Sequence, residues 1–105
     1  MAEKFRVIEL TKGFVAIIST EDFRKVNKHK WRVTHSKGNK RKHGAPYARG
    51  MVNGKDVYMH RFIMDCPDHL QTDHGNHCTL DNRRCNLENV TPTINRERKR
   101  KKKVG

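Results

Sequence analysis

The chain has 105 residues, which allows one domain of ordinary size, and its 24 Lys and Arg against 11 Asp and Glu give a formal net charge of +13. Hydrophobic residues make up only 33% of the sequence, so we expect a small core and short elements. The charge predicts an anionic partner, with nucleic acid as the default, and the longest apolar run, Phe14–Ile18, is far too short to span a membrane.

The N-terminal sequence and the cysteines predict the compartment. Residues 1–4 lack the basic and apolar regions of a secretory signal, and no basic amphipathic helix is present, so we expect a cytoplasmic protein without membrane association. Cysteines in that compartment are reduced thiols or metal ligands. The three cysteines are Cys66, Cys78 and Cys85. The lack of a close Cys-x₂-Cys pair argues against structural zinc, and a site completed by His69 or His77 is the alternative.

The N-terminal part predicts a hairpin followed by a short helix. Phe5–Leu10 and Phe14–Ile18 are β-rich runs separated by Lys12-Gly13, which is typical of a hairpin. Ser19 or Thr20 can cap a short helix that runs to Val26. Trp31 is expected to pack against that helix.

A basic loop and a second hairpin follow. Residues 28–44 are predicted to form the loop, around a weak strand at Trp31–Thr34, and residues 23–55 contain eleven Lys and Arg and no acid. Asn53-Gly54 between Tyr47–Val52 and Lys55–His60 is a strong hairpin signal. The two-residue turn predicts that Val52 pairs with Lys55, Gly50 with Val57 and Ala48 with Met59. The opposite face then carries Tyr47, Arg49, Met51, Asp56, Tyr58 and His60.

The C-terminal part predicts short elements around a turn. Arg61–Met64 is expected to form one helical turn, which Cys66-Pro67-Asp68 ends. Asp81–Arg84 is predicted to be a turn or a short helical cap, and Leu87–Val90 a strand. Thr91-Pro92 indicates the start of a last helix through Arg96. Residues 98–105 are a basic tail that we expect to be disordered.

Residues 71–95 contain side chains that bind metals and move protons. Asp73-His74 is followed by Asn86, twelve positions after His74, and then by Asn95. Together with Leu80–Leu87 and Val90-Thr91, these residues resemble the HNH endonuclease family, specifically its small phage and intron homing type. Trp31, Tyr47-Ala48-Arg49 and Met59-His60-Arg61-Phe62 also resemble the family. One departure is an added His and Cys in the loop of residues 75–79.

The resemblance implies an α+β fold built on a ββα-metal motif. In that motif, two strands bracket a loop and are followed by a helix, and here small antiparallel hairpins and short helices would precede it. Residues 1–97 would form a single domain, with a DNA-contact part at 5–64 and the motif at 70–97. A phage-encoded protein acting in the bacterial cytoplasm is the expected source.

The resemblance also implies the roles of the site residues. Asp73 and Asn95 would bind one Mg²⁺ or Mn²⁺, for which carboxylate and amide oxygens are suitable ligands. His74 would be the general base that activates water, and Asn86 would orient its ring. The expected products carry 5′-phosphate and 3′-hydroxyl ends. For Asn82 we favour a turn residue bonded to local backbone, with catalysis as the alternative.

Basic and aromatic residues on both sides of the motif are predicted to contact DNA. Tyr47, Arg49 and Tyr58 lie on one predicted hairpin face. The other candidates are His60, Arg61, Arg83, Arg84, Lys40, Arg41, Lys42, Arg96, Arg98 and Arg100. For His60, a packed structural role is an equal alternative.

Two other functions are compatible with the sequence. A non-catalytic basic nucleic-acid-binding module would explain the charge and leave the Asp-His-Asn-Asn set inert. A nonspecific HNH nuclease used as a toxin or in phage DNA packaging would share the chemistry. The oligomeric state, monomer or homodimer, stays open.

Overall fold

The computed structural model describes residues 4–35 and 45–97 of the chain. Over these ranges the protein is a small α+β domain. Its strands are β1 (Phe5–Glu9), β2 (Val15–Ser19), β3 (Trp31–His35), β4 (Pro46–Val52), β5 (Lys55–Tyr58), β6 (Gln71–His74), β7 (Asp81–Asn82) and β8 (Leu87–Val90). Its helices are α1 (Phe23–Asn27), α2 (Met59–Ile63) and α3 (residues 92–97), and 3₁₀ turns cover Thr20–Asp22 and Arg84–Asn86.

The strands form three small sheets. The first has the order β1-β2-β7, in which β1 and β2 are antiparallel and the two residues of β7 run parallel to β2. The second is the antiparallel sheet β3-β4-β5, and the third is the antiparallel pair β6-β8. Strands β6 and β8 are followed by α3, so the C-terminal part consists of two antiparallel strands and a helix.

Both predicted hairpins are confirmed. In the second, Asn53 and Gly54 have φ of 51° and 82°, and Val52 pairs with Lys55 and Gly50 with Val57 as predicted. The predicted pair of Ala48 with Met59 is wrong, because β5 ends at Tyr58 and α2 begins at Met59.

Helix α2 replaces the predicted end of the strand because its apolar residues have helical spacing. Met59 and Ile63 are four residues apart, lie on one helix face, and are 0% and 1% exposed in the core. The same change places His60 inside the protein, with 7% exposure, which agrees with the packed structural alternative and not with an outward position beside Tyr58.

The core lies between the sheets and the two N-terminal helices. Its buried side chains include Ile18, Val26 and Trp31. The Trp31 indole N–H donates to the Val26 carbonyl at 2.8 Å, which confirms the predicted packing on the short helix. A Cβ at Gly50 would lie 2.8 Å from the Trp31 ring and 2.5 Å from the Lys30 carbonyl oxygen, so β4 can approach Trp31 this closely only with glycine there.

Two predicted local structures differ in the fold. Neither Ser19 nor Thr20 makes a side-chain capping bond, and Ser19 Oγ instead accepts from the backbone N–H of Arg84 at 2.9 Å. Asp81 and Asn82 form a strand and not a turn, because their backbone pairs with Ile17 and Ile18 of β2.

Other predicted elements are confirmed. Strand Leu87–Val90 is β8, the helix after Thr91 is α3, and the weak strand at Trp31 is β3. The predicted loop at residues 36–44 and the tail at 98–105 lie outside the described residues. In the described part of the chain, the helices are all too short to cross a membrane.

Candidate active site

His74 is the last residue of β6, and its imidazole is buried. Alternation along the strand directs Thr72 and His74 inward, where they are 8% and 6% exposed. Gln71 and Asp73 lie on the opposite, more exposed face. The strand therefore presents an imidazole on one face and a carboxylate on the other, at adjacent positions.

Three aromatic side chains surround the His74 ring. The His60 ring centroid is 4.9 Å from that of His74, and the Tyr47 centroid is 6.2 Å away. Tyr58 completes the cluster, 5.3 Å from His60 and 5.6 Å from Tyr47. Two of these residues come from the second sheet and one from α2, so α2 and β4 together cover the end of β6.

Burial keeps both imidazoles neutral at neutral pH. Desolvation lowers the pKa of His74, although the hydrogen bond that Asn82 Oδ1 accepts from the ring and the nearby charges of Asp73 and Asp81 oppose this effect. Desolvation lowers the pKa of His60 to about 3, helped by His74 and Arg61. The pKa of Tyr47 is raised by burial and by the charges of Tyr58 and Asp73. A neutral imidazole in His74 can accept a proton.

The side chain that binds His74 is Asn82. Asn82 Oδ1 lies 2.8 Å from His74 Nε2, and Asn82 is fully buried. This corrects the predicted hydrogen bond between His74 and Asn86, and it also corrects the interpretation of Asn82 as a residue bonded to local backbone. No local sequence signal identified Asn82, because the extended conformation of Asp81–Asn82 depends on their pairing with Ile17 and Ile18 of β2.

Asn86 instead binds the loop after His74. Its Oδ1 accepts from the Asn76 backbone N–H at 2.9 Å, and its Nδ2 donates to Asn76 Oδ1 at 2.9 Å and to the Asp81 carbonyl at 2.8 Å. Its backbone carbonyl accepts from Gly75 at 2.7 Å. Asn86 therefore fixes the shape of the loop between β6 and β7 without touching His74.

Asp73 and Asn95 lie on the same side of β6. Asn95 is on α3, and its Nδ2 donates to Gln71 Oε1 at 2.7 Å. Gln71 and Asp73 are two residues apart on one strand and therefore share a face. Asn95 Oδ1 is buried and has no hydrogen-bond partner within the described ranges. A buried acceptor of this kind is costly and is suited to a cation.

The donor set fits a hard divalent cation better than zinc. Asp73 and Asn95 together offer carboxylate and amide oxygens, which Mg²⁺ and Mn²⁺ accept alongside water. No cluster of three or more His, Cys, Asp or Glu side chains placed to hold a metal ion occurs in the described part of the chain. Cys66, Cys78 and Cys85 form no disulfide bond with one another.

Three predicted DNA-contact arginines have intramolecular partners. Arg61 donates to the backbone carbonyls of Leu70 at 2.9 Å and Pro67 at 3.0 Å. Arg83 forms an ion pair with Asp81 at 2.7 Å and lowers the pKa of that carboxyl. The partner of Arg84 is Asp22. Arg96 is exposed on α3, whereas Lys40, Arg41, Lys42, Arg98 and Arg100 lie outside the described residues.

Arg49 belongs to a charged group on the second sheet that we call the β3–β5 arginine pair, Arg32 and Arg49 with Asp56. Arg32 and Arg49 are register partners, and both lie 2.8 Å from Asp56 Oδ2. The Arg49 guanidinium carbon lies 4.7 Å from the centre of the Tyr58 ring. Arg32 was not predicted as a site residue, because only the strand register brings it beside Arg49.

Comparisons with protein-family models, curated proteins and solved structures gave no significant match. The functional interpretation therefore depends on the residue pattern and on the geometry around His74.

Proposed function

We propose that this protein is a metal-dependent DNA endonuclease of the HNH type. One observation carries the proposal: the buried His74 imidazole is bonded through one ring nitrogen to Asn82, and Asp73 precedes His74 on β6 with its carboxylate on the other face of the strand. A neutral imidazole held by one nitrogen has the other free to take a proton, which is the requirement for a general base.

In the proposed reaction, His74 accepts a proton from a water molecule. The water oxygen forms a bond to the phosphorus, the bond from phosphorus to the 3′ oxygen breaks, and the leaving 3′ oxyanion takes a proton from solvent water. The products would be 5′-phosphate and 3′-hydroxyl ends. The buried neutral state of His74 supports this role, because a protonated imidazole could not act as a base.

Asp73 and Asn95 would hold the divalent cation. When bound, Mg²⁺ or Mn²⁺ would supply Lewis-acid stabilisation of the negative charge on the phosphate and the leaving oxygen. The support from this chain is the Asn95 amide, whose Nδ2 is bonded to Gln71 and whose buried Oδ1 has no partner among the described residues.

The β3–β5 arginine pair would contact the DNA backbone. Two guanidinium groups share one carboxylate there, so the group keeps a net positive charge. Tyr47 and Tyr58 make edge-to-face contacts between this pair and His74, and they would connect the binding surface to the reaction centre. The formal net charge of +13 supports an anionic substrate. The enzyme would act in the cytoplasm, as expected for a phage-encoded or bacterial protein.

The decisive experiment is plasmid nicking. Supercoiled plasmid is incubated with the purified protein and Mg²⁺, with and without EDTA, beside His74→Ala and the matched control His69→Ala, a histidine exposed in the loop before β6. The parent and His69→Ala should convert the plasmid to nicked circles, whereas EDTA or His74→Ala should reduce the rate by roughly a hundredfold or more.

Three results would contradict the proposal. Nicking that resists EDTA, or that persists in His74→Ala, would exclude this mechanism. Tight DNA binding without nicking under Mg²⁺ or Mn²⁺ would instead identify the protein as a non-catalytic binding module.

A further inference from the structure

Asn82 makes one hydrogen bond with its side chain in the described part of the chain. Its Oδ1 lies 2.8 Å from His74 Nε2, and its Nδ2 has no partner among the described residues. The side chain is 0% exposed. A buried amide with one half unsatisfied costs free energy, so the fold gains little from asparagine at this position.

The side-chain hydrogen bonds of Asn86 and Asn89 are typical of structural asparagines. Asn89 donates to the Met64 carbonyl at 3.1 Å and accepts from Thr72 Oγ1 at 2.8 Å. Asn86 likewise uses both ends of its amide. Asn82 differs from both, because its one described bond goes to the side chain of His74.

Strand pairing on one side and an ion pair on the other fix the backbone around Asn82. Asn82 pairs with Ile18 of β2, at the inner edge of the first sheet. On the other side of the strand, the Asp81 carboxylate accepts from Arg83 Nε and Nη2, both at 2.7 Å. A site residue on a paired strand is positioned more accurately than one on a loop.

We infer that Asn82 is a positioning residue that holds His74 in the tautomer with its proton on Nε2. A carbonyl oxygen can only accept a hydrogen bond, so the nitrogen that faces Oδ1 must carry the proton. The lone pair of the neutral ring is then on Nδ1, and Nδ1 is the atom that takes the proton from water. The catalytic part of this inference rests on the proposed function, whereas the tautomer does not.

The tautomer can be measured directly in the unmodified protein. Long-range ¹H–¹⁵N correlation spectra of ¹⁵N-labelled protein at pH 7.5 distinguish a protonated from an unprotonated ring nitrogen, and His74→Gln identifies the His74 signals. We expect a protonated Nε2 and an unprotonated Nδ1. A His74 protonated on Nδ1 would overturn the inference, whatever the variants show.

Substitutions then test whether Asn82 causes that state. Asn82→Ala removes the acceptor and should convert His74 to a mixture of tautomers, whereas Asn82→Asp keeps an oxygen acceptor and should keep the proton on Nε2. Asn89→Ala is the matched control, since it removes a structural asparagine and should leave the His74 signals unchanged. If Asn82→Ala does not fold, the parent and Asn82→Asp spectra still decide the assignment.

Single-turnover nicking rates and DNA affinities distinguish a residue that positions His74 from a residue that binds DNA. Asn82→Ala should lower the nicking rate about 10- to 100-fold, the usual effect of losing such a supporting contact, and change affinity for plasmid in EDTA less than twofold. Unchanged tautomer or unchanged nicking in Asn82→Ala would overturn the inference. A parent protein that shows the expected tautomer but never nicks DNA would support the geometry and contradict the proposed function.

Discussion

Arg84 binds the buried carboxylate of Asp22 across 62 residues of sequence. Its guanidinium nitrogens lie 2.9 to 3.1 Å from the two carboxylate oxygens, and the Asp22 side chain is only 3% exposed. The Arg84 backbone N–H also donates to Ser19 Oγ. These bonds attach the 3₁₀ turn after β7 to the turn after β2, and they raise the pKa of Arg84, chiefly through the Asp22 hydrogen bond.

We predict that Asp22→Ala lowers the free energy of unfolding by about 2 kcal/mol, because it removes several charge-assisted hydrogen bonds and leaves Arg84 without its main partner. Urea unfolding followed by circular dichroism measures this change. Glu21→Ala is the control, since Glu21 is exposed and lies 3.8 Å from the same arginine. Its effect should be below about 0.5 kcal/mol, and equal effects of the two variants would show that the Asp22 pair does not stabilise the fold.

Acid should destabilise the protein through His60. The pKa of His60 is about 3 in the folded protein because of burial, whereas it is near 6.5 in an unfolded chain. The unfolded chain therefore binds more protons between these values, and stability falls as the pH falls below about 6.5.

The His60 contribution should be about 2 kcal/mol less favourable at pH 5 than at pH 7.5. It is measured as the difference in pH dependence of urea unfolding between the parent and His60→Gln, in which the contributions of titrating groups away from His60 cancel. An identical pH dependence in both proteins would refute the buried neutral state of His60.

The sequence predicted the hairpins because their signals are local. Asn53-Gly54 fits a tight turn in which both residues have positive φ, and two-residue turns fix the register of the strands beside them. The position of His60 on a helix was not predicted, because the alternating pattern of Tyr58–His60 is also compatible with a strand. Burial of Met59 and Ile63 in a core built by distant segments makes α2 a helix.

If Asn95 binds the cation through Oδ1, Asn95→Ala should slow nicking at low Mg²⁺ and recover with added Mn²⁺, since the neutral ligand contributes less than the Asp73 carboxylate. Initial nicking rates over a metal titration measure this. Thr93→Ala, an exposed position on the same helix, should leave the titration unchanged. Equal loss at all metal concentrations would assign Asn95 a structural role.

The β3–β5 arginine pair should contribute to DNA affinity through phosphates. Arg49→Ala should weaken binding for all sequences and reduce the slope of log K against log salt concentration by about one. Fluorescence anisotropy with two unrelated duplexes at several salt concentrations measures both effects. Arg61→Ala is the control, because the Arg61 guanidinium is bonded to backbone carbonyls. The same slope change in both variants would exclude a specific role for this surface.

The pattern of site residues was predicted in part. Asn95 on α3 contacts Gln71 at the start of β6, the strand that carries Asp73 and His74. The hydrogen-bond partner of His74 was not predicted. The choice between Asn82 and Asn86 depends on the pairing of β7 with β2, which joins residues more than 60 positions apart in the sequence. A parallel pairing of only two residues produces no local pattern in the amino-acid sequence.

His74 and Asn82 belong to different sheets, and the sheet that holds Asn82 is completed by β2, near the start of the chain. The C-terminal strands and helix therefore do not form a transferable module. A fragment of residues 70–97 would contain His74, Asn82 and their neighbours in sequence, yet it would lack the strand that fixes one of them. Formation of the His74–Asn82 pair is thus coupled to the pairing of β7 with β2, and the nuclease activity that we propose would depend on both ends of the described chain.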